Sequence, residues 1–296
     1  PARVAGVGEV IVCSPPAADG APVPVVLAAA ALAGADRVFA VGGAGAVAAM
    51  AFGTASVPRV DRVVGPGNAY VAEAKLQVAG SVATDAPAGP SELLAIADWA
   101  ADPVAVAREM LAQAEHDPRA AVVAVVVGEE TASEIRAAIA RLLPDEPRRE
   151  VIAAALAARG GVLVAQDYDE AIALANDYAP EHLLLAVYDA GHQALLARAR
   201  NAGSVLVGAS SSVAFGDYMT GANHVLPTGG LARGHSGLST LDFVRWTAYQ
   251  VVTPEAAARL SGDVATLATS EGLPAHAAAA RVWGMSDEAR LAGEEL

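Results

Sequence analysis

The sequence contains little positive charge and almost no cysteine. Its 296 residues include 19 basic side chains against 33 acidic ones, the formal net charge is −14, and Lys75 is the sole lysine. Binding along nucleic-acid phosphates depends on clustered lysine and arginine, so we expect no nucleic-acid partner. The single cysteine, Cys13, excludes a disulfide framework and fits a reducing compartment, so we expect a cytoplasmic protein.

Long apolar runs are also absent. The longest candidate, residues 24–35, is too short to span a membrane and is stopped by Asp36, so we expect no membrane partner. Apolar residues nevertheless make up 54% of the chain and charged residues only 18%, which excludes general disorder because disorder requires low hydrophobicity. The length suggests about two domains of roughly 150 residues.

Short apolar segments alternate with alanine-rich amphipathic segments along most of the chain. The apolar segments predict buried parallel strands at 9–13, 37–41, 62–64, 93–97, 121–127, 162–165, 183–186 and 204–207. The amphipathic segments predict helices at 23–33, 46–52, 69–78, 104–115, 132–143, 150–158, 170–176, 193–199, 254–267 and 275–282. This alternation predicts an α/β fold with parallel sheets and right-handed crossovers.

Glycine and proline refine this prediction. Gly160 and Gly161 are expected to end a helix, and Pro180 is expected to hold Ala179 in an extended conformation. The stretch from Ser210 onward is rich in serine, glycine and threonine and has no sustained period. A long aperiodic stretch in an enzyme is often a functional loop.

Two glycine-rich turns each follow a predicted strand and open a helix. The first reads as G-x-G-x-x-A from Gly43, and Asp61 follows at about the distance expected of a dinucleotide fingerprint. It predicts either pyrophosphate binding or a tight turn that needs small residues. The second, residues 65–68, ends in Asn68, which can cap the next helix, bind a ligand, or do both.

Several polar side chains sit where they could carry chemistry. Gln113 and His116 lie three residues apart on one helix face, where the histidine could bind a metal or contact the helix dipole. Glu181 and His182 could supply two bases at the start of a strand or belong to a surface turn. Four further residues could be either ligands or solvated loop side chains: Asp217, His224, Glu271 and His276.

Five of these segments, taken together, resemble one family. The segments are DAPAGPSE at 85–92, QAEH at 113–116, APEHLL at 179–184, GDYMTGANHVLPT at 216–228 and EGLPAH at 271–276. Their order and spacing are similar to those of histidinol dehydrogenases, and the resemblance extends from the first residue to about residue 282. The resemblance implies oxidation of L-histidinol to L-histidine by a homodimer. Oxidation of each L-histidinol would consume two NAD⁺, and each subunit would hold one Zn²⁺.

The resemblance also implies a role for each matching residue. The zinc ligands would be Gln113, His116, Asp217 and His276, and the catalytic pair would be Glu181 and His182. The substrate contacts would be Ser91, Gln113, His116, His182, Asp217, His224, Glu271 and His276. The cofactor contacts would be Asn68 and Gly45, and Gly45 replaces the glutamine that is usual in the family.

The implied architecture is two Rossmann-like parallel-sheet domains followed by a helical tail. Residues 1–92 would form the first domain, with the cofactor residues, and 93–235 the second, with the zinc and substrate residues. Residues 236–296 would form a tail that completes the partner subunit's site. The chain starts without Met and lacks a domain-sized stretch present in the family, so we expect a fragment with part of one domain missing.

Three alternatives remain open from the sequence. The chain could be a catalytically silent zinc- or ligand-binding remnant, for which the replaced glutamine is an argument. It could oxidise a related amino alcohol. It could also be a zinc hydrolase in which Glu181 activates water, and such an enzyme would need no nicotinamide.

Overall fold

The computed structural model describes residues 1–285, apart from the side chains of residues 189 and 190. The chain divides into two compact units, Pro1–Val244 and a second that begins at Arg245. The first unit contains all the strands of the described part, and the second contains helices. Among the described residues, no helix combines the length and the apolar character that a membrane crossing requires.

Parallel strands organise the first unit. The strands in the described residues are β1 Ile11–Ser14, β2 Arg37–Ala40, β3 Arg62–Val63, β4 Ala83–Thr84, β5 Glu92–Ala97, β6 Ala121–Val127, β7 Gly160–Ala165, β8 His182–Ala186 and β9 Ser204–Val207. They form two two-stranded sheets, β1-β2 and β3-β4, and one five-stranded sheet in the order β7-β6-β5-β8-β9. Every pairing is parallel.

Helices connect and cover these strands. The α-helices within residues 1–285 are α1 Pro24–Leu32, α2 Gly43–Phe52, α3 Ala69–Val78, α4 Pro103–Ala114, α5 Glu129–Leu142, α6 Arg149–Arg159, α7 Tyr168–Tyr178, α8 Asp189–Leu196, α9 Val213–Tyr218, α10 Pro254–Ser270 and α11 Pro274–Arg281. Parallel neighbours require such crossover connections. The predicted α/β fold with parallel sheets and C-terminal helices is confirmed.

The main core lies on both faces of the five-stranded sheet. Successive side chains of a strand point to opposite faces, so Leu93 belongs to one buried cluster and Leu94 to the other. The register pairs Leu93 of β5 with His182 of β8. Glu92 and Glu181 therefore stand at the amino ends of two adjacent central strands.

The structure differs from the sequence prediction in three connections. Strand β4 is only two residues long, too short for periodicity to reveal. Gly160 ends α6 as predicted but also begins β7. The close connection requires glycine, because a Cβ there would lie 2.6 Å from the carbonyl oxygen of Leu156. The aperiodic stretch after Ser210 contains helix α9, which begins at the capping residue Ser212.

Ala179 is left-handed rather than extended, with φ 56° and ψ 61°. The prediction of an extended residue before Pro180 is therefore wrong. Ala179 ends α7, and its N–H donates to the carbonyl of Ala175, as residues after a helix often do. The turn redirects the chain into Glu181 and β8 within three residues.

In its described residues, the second unit contains α10, α11 and a short 3₁₀ turn. Thr253 caps α10, and Ala265, Ala268 and Ala277 form the buried contact between the two helices. The predicted domain boundaries at residues 92 and 235 stay predictions. Residues 286–296, the end of the predicted tail, lie outside the described residues.

Candidate active site

A cavity of about 330 Å³ lies at the amino ends of β5 and β8. Seven of the predicted site residues line it: Ser91, Gln113, His116, Glu181, His182, Asp217 and His224. They come from four of the five motif segments, all in the first unit, spread over more than 130 positions of the sequence. The fold thus brings together polar side chains that the sequence separates.

Helix α4 delivers Gln113 and His116 to this cavity. The helix begins at Pro103, and the side chain of Asp102 accepts hydrogen bonds from the backbone N–H groups of Val104 and Ala105. Gln113 lies in the last turn and is 2% exposed. His116 follows two residues after the helix ends, in the turn that leads to β6.

The short helix α9 places Asp217 at the same cavity. Its first turn is held by Ser212 and by Glu109, whose Oε2 accepts a hydrogen bond of 3.0 Å from the N–H of Val213. Glu109 belongs to α4, so α9 is tied to the helix that carries Gln113. His224 follows in the loop after α9.

Glu92 contacts both members of the predicted catalytic pair. Its backbone N–H donates to Glu181 Oε2 at 2.9 Å, and its carbonyl oxygen lies 3.2 Å from His182 Nδ1. If Nδ1 carries the proton, it donates to this carbonyl, and Nε2 is left to accept a proton. Nε2 lies 3.7 Å from Asp217 Oδ1, on the cavity side.

Charge surrounds the buried imidazole of His182. Desolvation lowers the pKa of His182, but the interactions with Asp217 and Glu181 outweigh it and raise the pKa to about 9. His182 in turn lowers the pKa of Asp217, with smaller effects from His224 and His116 and with burial opposing. The two carboxylates therefore favour the imidazolium form.

Gly203 permits the close packing behind Glu181. A Cβ at this position would lie 2.7 Å from the carbonyl oxygen of Glu181. The backbone N–H of Gly203 donates to Pro180, and that of Ser204 donates to Glu181. Strand β9 can therefore pair with β8 from its first residues and fix the start of β8.

A second cavity, of about 580 Å³, shares residues 67, 88, 89, 91 and 116 with the first. Asn68 lines it and caps α3, accepting hydrogen bonds from the N–H groups of Tyr70 and Val71 at its Oδ1. The cap uses only this oxygen, so the Nδ2 amino group can still donate to a ligand. Capping and ligand binding are therefore compatible at Asn68.

A buried ion pair holds the loops beside this cavity. Lys75 Nζ lies 2.5 Å from Asp85 Oδ1, and both side chains are 4% exposed. Lys75 also donates to the carbonyl of Gly65, and the N–H of Gly65 donates to Asp85 Oδ2 at 2.8 Å. The turn at 65–68 is thereby fastened to the loop at 85–91.

Three predicted residues do not line either cavity. Gly45 lies in the first turn of α2 with open space where a Cβ would be. The two glycines before it are required by the turn itself. A Cβ on Gly42 would clash with Pro15, and Gly43 has φ 66°. Glu271 ends α10 and His276 lies in the first turn of α11, both in the second unit. Their roles, and that of Gly45, stay predictions.

The residues of the first cavity offer donors that suit zinc. Within the described residues, no group of three or more His, Cys, Asp or Glu side chains could hold a metal ion. Of the predicted zinc ligands in the first unit, only His116 and Asp217 are of these residue types. Gln113 adds an amide oxygen. Imidazole nitrogen and carboxylate oxygen are ordinary zinc ligands, so the donor chemistry fits zinc.

Sequence reasoning missed three contributors to this region. Glu92 and Thr228 lie inside recognised motifs but have no role assigned from them, and Lys75 is noted only as the sole lysine. The sequence does not show that Glu92 lies beside Glu181, because this follows only from the pairing of β5 with β8. Burial of a lone lysine can be found only from the structure.

Comparison with known proteins agrees with these motifs. The sequence profile described as histidinol dehydrogenase matches residues 1–283. The chain belongs to the histidinol dehydrogenase family. Histidinol dehydrogenases of Methanosarcina mazei, Methanothermobacter thermautotrophicus and Halobacterium salinarum are 46%, 48% and 51% identical to it, each over 94% of the chain.

A crystal structure of histidinol dehydrogenase from Elizabethkingia anophelis matches with a TM-score of 0.90. It is 36% identical and covers 95% of this chain. The chain spans 65% of that protein and 63%, 65% and 65% of the three relatives above. It therefore shares the histidinol dehydrogenase fold over nearly all of its own length.

Proposed function

We propose that the chain oxidises L-histidinol to L-histidine through L-histidinaldehyde, with NAD and zinc, as the last step of L-histidine biosynthesis. The observation that supports this proposal is the convergence of seven motif residues on one cavity in a chain of the histidinol dehydrogenase family. We also propose a homodimer in which Glu271 and His276 of each subunit complete the partner's site.

In this proposal the chain's own residues hold both groups that the reaction needs. Zinc would be held by Gln113, His116, Asp217 and His276, and NAD would contact Asn68. Bound zinc supplies a redox-inert template that orients the substrate imidazole and amine. Bound NAD accepts the electrons of both oxidations, two at a time.

His182 is proposed to act in the first oxidation, which converts the alcohol to the aldehyde. The hydroxyl proton must leave as the C–H electron pair is removed, and a neutral imidazole within the cavity can accept it. Because Asp217 would hold zinc, its charge would be neutralised there and the imidazole could rest neutral, and Glu181 would then stabilise the imidazolium that forms. The contact of Nδ1 with the Glu92 carbonyl fixes the ring so that Nε2 faces the cavity.

Glu181 is proposed to act in the second oxidation, which converts the aldehyde to the acid. A water molecule must add to the aldehyde carbon and lose a proton before the second electron pair leaves. The N–H of Glu92 holds Oε2 of Glu181 at 2.9 Å, so Oε1 is available to take that proton. Two adjacent bases thus serve two successive steps.

The test is NADH formation from L-histidinol, with added zinc and then with a chelator. A preparation that includes any residues encoded upstream is assayed in parallel, because the chain spans only 63–65% of these relatives. We expect NADH formation that the chelator abolishes. L-Histidinol turnover that needs no NAD would contradict the proposal, and so would the absence of turnover by both preparations.

A further inference from the structure

Two loops that line the cavity are joined by a reciprocal pair of hydrogen bonds. The N–H of Gly89 donates to Thr228 Oγ1 at 2.5 Å, and the N–H of Gly229 donates to Glu92 Oε1 at 3.0 Å. Each loop supplies one backbone donor and one side-chain acceptor. We name these four residues, Gly89, Glu92, Thr228 and Gly229, the clasp.

The two acceptor side chains of the clasp are buried, whereas Gly89 and Gly229 are exposed. Thr228 is 3% exposed and Glu92 is 8% exposed. A Cβ on Gly89 would lie 3.1 Å from Thr228 Oγ1, so the absence of a side chain allows the backbone to approach the hydroxyl. Both hydrogen bonds are partly buried, so water can replace a lost acceptor only in part and each bond constrains the loops.

The clasp connects the substrate side of the cavity to the catalytic side. Ser91 lies between Gly89 and Glu92, and His224 lies four residues before Thr228; both line the cavity. The backbone of Glu92 contacts Glu181 and His182. Movement of one loop relative to the other would therefore change the separation of the cavity walls, whereas the backbone of Glu92 in β5 keeps its contacts with the two bases.

The Glu92 carboxyl group needs only one of its oxygens for this purpose. Oε1 accepts from Gly229, whereas Oε2 is buried without a hydrogen-bond partner among the described residues. Burial raises the pKa of Glu92, so the neutral carboxyl form is favoured. A glutamine has the same shape and can keep the acceptor.

We propose that Glu92 and Thr228 are positioning residues of this site, which hold Ser91 and His224 at a fixed separation through the clasp. The inference deepens the proposed function and rests on it. Because these walls contact substrate before and during reaction alike, the clasp affects KM for L-histidinol more than kcat.

The experiment compares matched variants of the full chain. T228V removes the acceptor with little change of shape, and T228S keeps a hydroxyl; E92L and E92Q form the second pair. T131V, at a 6% exposed threonine of α5 that lines neither cavity, controls for the loss of a buried hydroxyl elsewhere. Backbone hydrogen exchange at Gly89 and Gly229 is measured beside KM and kcat for L-histidinol.

We expect T228V to lose exchange protection at Gly89 and to raise KM by up to about tenfold, as the loss of one partly buried hydrogen bond implies. E92L should lose protection at Gly229 with a similar rise in KM. T228S and E92Q should show smaller changes than their partners. T131V should leave KM at the wild-type value.

The proposal is overturned if T228V and E92L leave KM unchanged while the wild type oxidises histidinol, or if T131V raises KM equally. It is also overturned if the Gly89 and Gly229 amides exchange freely in the wild type. A wild type that never oxidises histidinol, by contrast, defeats the proposed function itself.

Discussion

At the scale of single residues, Glu92 accounts for the arrangement of the two bases. Its N–H and C=O belong to one peptide-bonded strand residue, and they contact Glu181 and His182 respectively. A contact made by backbone cannot be lost through a change of side chain at Glu92. The orientation of both bases is therefore a property of the start of β5.

The division of labour between the bases predicts a selective effect of Glu181→Gln. The amide cannot take a proton from water, so aldehyde oxidation should fall by about 10²–10⁴-fold, the usual contribution of a general base. Alcohol oxidation should fall much less. Rates with L-histidinol and with L-histidinaldehyde measure the two steps separately. The exposed Glu130→Gln serves as the control, and equal losses in both steps would reject the assignment.

The buried carboxyl of Glu92 predicts a dependence of stability on pH. Burial raises the pKa of Glu92 above its ordinary value of 4.5. Its contribution to stability is therefore fully present below 4.5 and is lost as pH rises through the raised folded-state pKa. E92Q lacks this titration.

Urea unfolding midpoints of the wild type and E92Q should therefore diverge as pH rises from about 4 to about 7. E92Q should become progressively more stable relative to the wild type. A difference that stays constant with pH would show that the Glu92 carboxyl titrates normally.

At the scale of elements, helix α3 is anchored by its only lysine. Lys75 reaches from the last turn of α3 to Asp85 and to the carbonyl of Gly65, and the charged side chains of Lys75 and Asp85 are both buried. Removal of one member of a buried pair leaves an unpaired charge, which costs more than the pair contributes. The anchor thus fixes the turn that carries Asn68.

Lys75→Met should lower the free energy of unfolding by about 3–5 kcal/mol. The double variant K75M/D85N should recover much of this loss, because asparagine removes the stranded charge and can still accept from the N–H of Gly65. Chemical unfolding of both variants measures the difference. A single variant as stable as the wild type would show that the pair is not buried in solution.

Sequence patterns predict the central strands well, because β5, β6 and β8 are continuous apolar runs buried on both faces. They fail where a local preference is overruled. Residues before proline favour extended backbone, yet Ala179 adopts φ 56° because the chain must turn from α7 into β8. Left-handed backbone costs a non-glycine residue about 1–2 kcal/mol, which tertiary packing must offset.

At the scale of the whole molecule, the cavity lies where two sheets of the first unit meet. Asn68 and Asp85 follow the carboxyl ends of β3 and β4, whereas Glu92 and His182 begin β5 and β8. Ligands of open α/β sheets usually bind at carboxyl ends. Periodicity identifies strands but not their order in a sheet. Without the motif resemblance, the sequence therefore could not predict that the carboxyl ends of β3 and β4 lie near the amino ends of β5 and β8.

The proposed sharing of sites between subunits predicts complementation. D217A and H276A should each be inactive alone. Co-expressed, they should give about a quarter of wild-type activity, because half of randomly formed dimers are hybrids and each hybrid keeps one intact site. NADH formation by the mixture measures this. Activity that stays absent in confirmed hybrids would place His276 in its own subunit's site or in none.

The most direct test of the central claim, two oxidations in one cavity, is the number of NADH formed per L-histidinol consumed. The reaction is run to completion with limiting substrate, and NADH absorbance is compared with L-histidine measured by chromatography. The account predicts two NADH and one L-histidine for each L-histidinol. One NADH with accumulating aldehyde would contradict the role of Glu181 beside His182.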